Sequence, residues 1–158
     1  MDTPTHPNLI ASKLPFVGRM PGTQLTPIEE QLLQRAFLGR SEIFVEQAFH
    51  SGYSGASAYL ITSPEQAPVV AKMAHPLDLC REYNAYHEWV AQTAPQNTTR
   101  LQGELLTSAD GQLGLITYSF AGGDPRMRTH NLSLYYQTHG GKATASVIDR
   151  LFRTYGRQ

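Results

Sequence analysis

A lysine, a glutamate and two glycines are the residues of this sequence whose types and spacing could bind a phosphate group. Lys72 ends the short apolar run Val69-Val70-Ala71, and Glu82 follows it ten residues later. Gly52 and Gly55 lie upstream of both. Small residues leave backbone N–H groups unshielded, so a loop that contains them can approach a phosphate closely. The lysine would supply the positive charge, and it could form an ion pair with the glutamate only if the two side chains meet across a sheet.

Each of these residues also has an ordinary structural explanation. Gly52 and Gly55 have the spacing of a common hairpin turn. A lysine at the end of a strand and a glutamate on a helix are usually solvated surface charges. The phosphate-binding prediction therefore depends on the order of the elements that carry these residues.

The first elements predicted are a helix and three strands. Thr26-Pro27-Ile28-Glu29 contains an N-cap threonine, a proline at the first helical position and a capping-box glutamate, and Gly39 follows where the helix should end. Alternating apolar residues then predict a hairpin over residues 41–62, and the run 69–73 predicts a third strand. Val70 shares the parity of Lys72 on that strand, so it could form an apolar slot with Ala58.

A second helix and two further strands follow. Apolar residues at helical spacing predict a helix from about Leu77 to Gln92. Glu82 lies beside its apolar stripe, whereas Glu88, the other possible partner of Lys72, lies on its polar face. Residues 101–107 and 113–120 are predicted strands, joined by the turn dipeptide Asp110-Gly111.

The predicted organisation has three parts. Residues 1–25 contain four of the ten prolines and no periodicity, which indicates an extended arm. Residues 26–123 form an α+β lobe, a five-stranded antiparallel sheet with one packed helix, preceded by the N-terminal helix. Residues 124–158 contain two amphipathic helices separated by Gly140-Gly141, and we expect them to begin an incomplete second lobe.

This order of elements resembles the N-terminal lobe of protein-kinase-like phosphotransferases, in particular the aminoglycoside phosphotransferase branch. The segment 49–56 resembles the flexible loop that covers the nucleotide, and Val70-Ala71-Lys72 resembles the third-strand lysine motif. Glu82 resembles the helix glutamate that pairs with this lysine, and the segment 115–123 resembles the last strand and the hinge. The spacing is most similar to that of the bacterial ternary complex associated domains, a kinase-like group of signalling and conflict systems.

The resemblance implies an ATP-binding site. In it the glycine loop covers the phosphates, Lys72 contacts them, Glu82 positions Lys72, and the hinge backbone near residues 118–120 bonds the edge of the base. The residues implied are Gly52, Tyr53, Ser54, Gly55, Val70, Lys72, Glu82, Thr117, Tyr118, Ser119 and Phe120.

The sequence lacks the catalytic and metal-binding residues that phosphotransferases carry in their C-terminal lobe. Phosphoryl transfer needs a catalytic-loop Asp and metal-holding Asn and Asp residues, but Asp149 is the only acidic residue after Asp124. We therefore expect a nucleotide-binding lobe that is inactive alone, either a fragment or a pseudokinase. Magnesium would bind only with a C-terminal lobe, and a missing lobe, a second copy or another protein is the expected partner.

Composition argues against several other classes. Thirteen Lys and Arg balance thirteen Asp and Glu, so the basic excess of nucleic-acid-binding proteins is missing. The longest apolar segment, 113–120, is far shorter than the ~20 residues that span a bilayer. No export signal is recognisable, and the lone Cys80 fits a reducing compartment, so we expect a cytoplasmic protein without a membrane partner. The six histidines show no metal-binding spacing.

Other interpretations of the same residues remain. The segment 52–56 approximates the Gly-x-Ser-x-Gly elbow of α/β-hydrolases, but a strand-like run follows it where that fold needs a helix. Gly140-Gly141-Lys142 lacks the strand and the Ser or Thr of a P-loop. The main alternative is a non-catalytic interaction module of a bacterial signalling or conflict system, which the charged fraction of 16% and the uncovered C-terminal helices favour.

Overall fold

A computed structural model describes residues 14–49, 55–93, 99–120 and 132–155 of the chain. The chain divides into two compact units, Met1–Gly123 and Asp124–Gln158. The strands and helices are β1 (Phe16–Arg19), α1 (Pro27–Ala36), β2 (Glu42–Phe49), β3 (Ser57–Ser63), β4 (Gln66–Ala74), α2 (Pro76–Ala85), β5 (Leu101–Thr107), β6 (Gly114–Ser119) and α3 (Leu132–Tyr155). The fold is α+β, as the sequence predicts.

The first unit is built on one six-stranded mixed sheet in the order β1-β2-β3-β4-β6-β5. Strands β2 to β6 pair antiparallel, whereas β1 pairs parallel to β2. The predicted sheet of five antiparallel strands was therefore one strand short. The additional strand lies in the segment predicted to be an extended arm, and it is only four residues long. Four residues show no recognisable alternation, and the parallel pairing depends on contacts with β2 that are distant in sequence.

Two helices pack against this sheet rather than the one that was predicted. Leu32 and Leu33 of α1 share a buried cluster with Ala71 of β4. Successive strand residues point to opposite faces, so Lys72 lies on the other face, and α2 packs there against β4, β5 and β6. Its Leu79 is fully buried. The sequence shows that α1 is amphipathic but not that it packs on the face of the sheet opposite α2.

The start of α1 is held by several side-chain hydrogen bonds. Thr26 is the N-cap, and its hydroxyl accepts from the Glu29 N–H in the capping box that the sequence predicts. The Glu29 carboxylate accepts from the Thr26 N–H at 2.8 Å and from the Tyr59 hydroxyl at 2.9 Å. Burial, together with this hydrogen bond to Glu29, raises the pKa of Tyr59. One carboxylate thus caps the helix and fastens it to β3.

The second helix does not remain α-helical to its predicted end. It continues after Ala85 as a π-helical turn over Tyr86–Val90, in which the Ala91 N–H donates to the Tyr86 carbonyl at 2.8 Å. The wider turn changes the angular position of every residue after Ala85. Tyr86 is buried, whereas Trp89 is 68% exposed.

The second unit contains α3, which is broken at Gly140. This residue has φ 78° and ψ 174°, outside helical values, so the element consists of two helices, as the Gly140-Gly141 pair predicts. Several large apolar side chains of α3 are exposed, namely Leu132, Leu134, Tyr136, Leu151 and Phe152. Of the helices in the described part of the chain, none is long and apolar enough to cross a membrane.

Candidate functional site

Lys72 and Glu82 form an ion pair on the face of the sheet that α2 covers. Lys72 lies in β4, and Glu82 lies on α2 directly above it, with 2.5 Å between Nζ and Oε2. Both side chains are partly exposed, at 29% and 36%. The contact that the phosphate-binding prediction required is therefore present. Glu88, the other candidate partner, is exposed on the π-helical turn.

The second carboxylate oxygen of Glu82 is bonded by Tyr118. The Tyr118 hydroxyl donates to Oε1 at 2.6 Å, from β6 on the same face of the sheet. Burial is the main cause that raises the pKa of Tyr118, and the hydrogen bond to Glu82 raises it further. The phenol therefore remains protonated and keeps donating. Sequence reasoning placed Tyr118 in the site only through its backbone and missed this side-chain contact.

Strand register explains how these three residues meet. Val70 pairs with Tyr118, and Lys72 pairs with Ile116. Tyr118 is thus the diagonal neighbour of Lys72 on one face of an antiparallel pair, a position from which long side chains can interact. The sequence shows which residues of each strand share a face. It does not show that Tyr118 lies diagonally opposite Lys72, because that depends on the register between β4 and β6.

Two apolar residues beside Lys72 keep some exposure. Val70 and Ala58 are partly buried on this face, whereas Leu60 and Ile116 are fully buried and accessible to no ligand. An ammonium group beside accessible apolar side chains can bind a ligand that joins an anionic group to a flat apolar one. Val70 shares the face of Lys72, as strand parity predicts.

Two predicted site residues point away from this surface. Thr117 and Ser119 alternate with Tyr118, so their side chains lie on the face that α1 covers. The Thr117 hydroxyl donates to the Gln102 carbonyl at 2.5 Å, and the Ser119 hydroxyl accepts from the Arg100 N–H at 2.7 Å. These hydroxyls bond the neighbouring strand and do not line the surface around Lys72.

The backbone predicted to bond the base is also engaged within the sheet. The Ser119 N–H donates to the Arg100 carbonyl at 2.6 Å, and the Phe120 N–H donates to the Pro68 carbonyl at 3.2 Å. The chain is paired on both sides at these two residues, and residues 121–123 of the predicted hinge lie outside the described residues. A base-edge contact cannot use these two N–H groups without breaking the pairing.

The glycine-containing segment 52–55 falls between β2 and β3 in the chain. Gly52, Tyr53 and Ser54 lie outside the described residues. Gly55 has φ +67°, a conformation that favours glycine, and a Cβ there would meet nothing within 4 Å. Ala58 of β3 pairs with Lys72 on one side and with Phe49, the last residue of β2, on the other, so Phe49 lies two strands from the lysine.

Other features of the described residues lie apart from this site. A surface groove of about 580 Å³ lies between β1 and α1, lined in part by Arg19, Ile28 and Gln31, none of them a predicted site residue. Among the described residues, no group of three or more His, Cys, Asp or Glu side chains is placed to hold a metal ion.

Comparison with known proteins adds no assignment. Neither the protein-family models, nor the curated proteins, nor the solved structures include a match to this chain. The function is therefore argued from the site itself.

Proposed function

We propose that the first unit binds a nucleoside triphosphate, with ATP as the ligand, as the nucleotide-binding lobe of a kinase-like phosphotransferase. The observation that carries this proposal is the Lys72–Glu82 ion pair, which joins the central strand of the sheet to the helix above it. Lys72 contacts the phosphates and Glu82 holds the ammonium group in place. Val70 and Ala58 lie under the base.

Three further observations support the proposal. Strands β2 to β6 form an antiparallel sheet of five, which the resemblance to a kinase-like lobe implies. The strand that follows the glycine segment places Ala58 directly opposite Lys72. The ion pair lies beside Val70 and Ala58, which are apolar and partly exposed, so a ligand with a charged and a flat part could contact both.

The exposure of the pair also favours a binding role. Ion pairs with this much access to water contribute about 0–1 kcal/mol to the free energy of unfolding. Lys72 and Glu82 are 29% and 36% exposed, so the fold gains little from them. An arrangement that adds little stability but leaves an ammonium group accessible is suited to an anionic ligand.

The first test is calorimetric titration of ATP, with and without magnesium, into the wild-type chain and Lys72→Ala. Loss of a charged hydrogen bond to phosphate should raise the Kd about tenfold or more. The midpoint of thermal unfolding should change little, because the pair is partly exposed. Lys142→Ala is the matched control: it removes an exposed lysine of the second unit and should leave ATP binding unchanged.

The same titration distinguishes the alternative function. If the folded wild-type chain binds no ATP, or if Lys72→Ala binds it equally well, the nucleotide proposal is wrong. The interaction module would then be favoured, and one observation already supports it. Leu14, Phe16 and Met20, in and beside the edge strand β1, are 52%, 69% and 44% exposed, and such apolar surface is typical of protein contacts.

A further inference from the structure

Glu82 is held from two sides, and only one of its partners belongs to the proposed phosphate contact. Lys72 bonds Oε2, and Tyr118 donates to Oε1 at 2.6 Å. Because the two donors use different oxygens, they do not compete for the carboxylate. The hydroxyl of Tyr118 restricts the rotation of the carboxylate and leaves the other oxygen directed at the ammonium group.

The tyrosine is itself fixed by its surroundings. Its backbone lies in β6, between β4 and β5. Its ring meets the ring of Tyr86 edge to face, with 6.4 Å between centroids and 73° between planes. Tyr86 is buried at the start of the π-helical turn. The hydroxyl of Tyr118 therefore reaches Glu82 from a rigid strand and a packed ring.

We propose that Tyr118 is a positioning residue of the nucleotide site, which orients Glu82 and, through it, places Lys72 for the phosphates. This inference rests on the proposed function. It differs from the role that the sequence predicted for Tyr118, which was a backbone contact to the base. The hydroxyl acts on the phosphate end of the ligand, through two other residues, and touches no ligand atom.

The raised pKa of Tyr118 agrees with this role. Burial and the adjacent carboxylate both disfavour the phenolate, so the group donates a hydrogen bond at every pH near neutrality. A tyrosine that exchanged protons with a substrate would need the opposite shift.

Tyr118→Phe tests the proposal because it removes the hydroxyl and keeps the ring. The Kd for ATP should rise about fivefold. This is less than the loss of a whole hydrogen bond to a charged group would cause, because Lys72 itself remains. The Kd for adenosine should not change, because adenosine has no phosphate for Lys72 to contact. In the Lys72→Ala background, Tyr118→Phe should have no further effect on ATP binding, since a residue that acts through Lys72 loses its influence without it.

Tyr59→Phe is the matched control for a purely structural effect. Its hydroxyl also donates to a glutamate, Glu29, but on the opposite face of the sheet. This variant should lower the thermal midpoint and leave the Kd for ATP unchanged. If Tyr59→Phe and Tyr118→Phe weaken ATP binding equally, the effect of Tyr118 is on stability and the positioning role is wrong.

The remaining outcomes separate this inference from the proposed function. If Lys72→Ala weakens ATP binding but Tyr118→Phe does not, the nucleotide site stands and the role of Tyr118 is overturned. Equal weakening of ATP binding by Tyr118→Phe in both backgrounds also overturns it, because the hydroxyl would then act independently of Lys72. If Lys72→Ala changes nothing, the proposed function fails and this inference fails with it.

Discussion

Two glutamates of this protein are bonded in the same manner and serve different purposes. Glu29 and Glu82 each accept from a tyrosine hydroxyl that a strand presents, at 2.9 and 2.6 Å. Glu29 is buried and caps α1, whereas Glu82 is partly exposed and holds Lys72. The same chemical pair fastens a helix on one face of the sheet and adjoins the Lys72–Glu82 ion pair on the other.

The structural role of Glu29 can be measured directly. Glu29→Ala should lower the free energy of unfolding by about 2–3 kcal/mol, because it removes the carboxylate from the capping box and leaves the buried Tyr59 hydroxyl without its acceptor. Thr26→Ala, which removes one cap hydroxyl, should cost about 1 kcal/mol. Chemical denaturation of the three proteins checks this order, and equal losses in the two variants would contradict the contribution of Tyr59.

At the scale of elements, the docking of α2 decides where Glu82 lies. The helix begins against Gly114, the first residue of β6, where a Cβ would lie 3.3 Å from the Pro76 Cα and 3.1 Å from the Leu79 Cδ1. The Pro76 contact is with backbone, which cannot rotate away as a side chain can. Absence of a side chain at Gly114 is therefore what lets the start of α2 approach the sheet.

Gly114→Ala should displace the start of α2 and lower the free energy of unfolding by about 1–2 kcal/mol, as overpacking in a filled interior does. Gly141→Ala provides the comparison, because a Cβ there would approach nothing more closely than 3.5 Å. Thermal unfolding followed by circular dichroism checks both variants. An unchanged midpoint for Gly114→Ala would show that the contact relaxes without cost.

At the scale of the whole molecule, the buried cluster lies within one unit. Its members run from Val17 to Leu115, inside the unit Met1–Gly123. A part of a chain that has its own hydrophobic core can in principle fold by itself. The described core residues that join the sheet to α1 therefore all belong to the first unit.

A chain that ends at Gly123 should accordingly fold and unfold in one cooperative transition. Circular dichroism and tryptophan fluorescence should report the same midpoint, since Trp89 lies in this unit. Non-coincident transitions, or no transition at all, would show that the second unit is needed to complete the fold.

The sequence alone determined the elements whose signals are local. The capping box at Thr26 and Glu29, the break at Gly140 and the α+β order could be predicted because each depends on residues a few positions apart. Lys72 and Glu82 were paired through the order of elements and a family resemblance, and the structure brings their side chains together. Whether they bind a nucleotide remains the proposal to be tested.

Tertiary structure decided what depends on register and on packing between distant segments. Register and packing determine three features of this protein. These are the parallel pairing of β1 to β2, the face toward which Thr117 and Ser119 point, and the hydrogen bond from Tyr118 to Glu82. A shift of one residue in register would turn every side chain of a strand to the opposite face. Composition and spacing along one strand leave that choice open, and contacts between strands that are distant in sequence settle it.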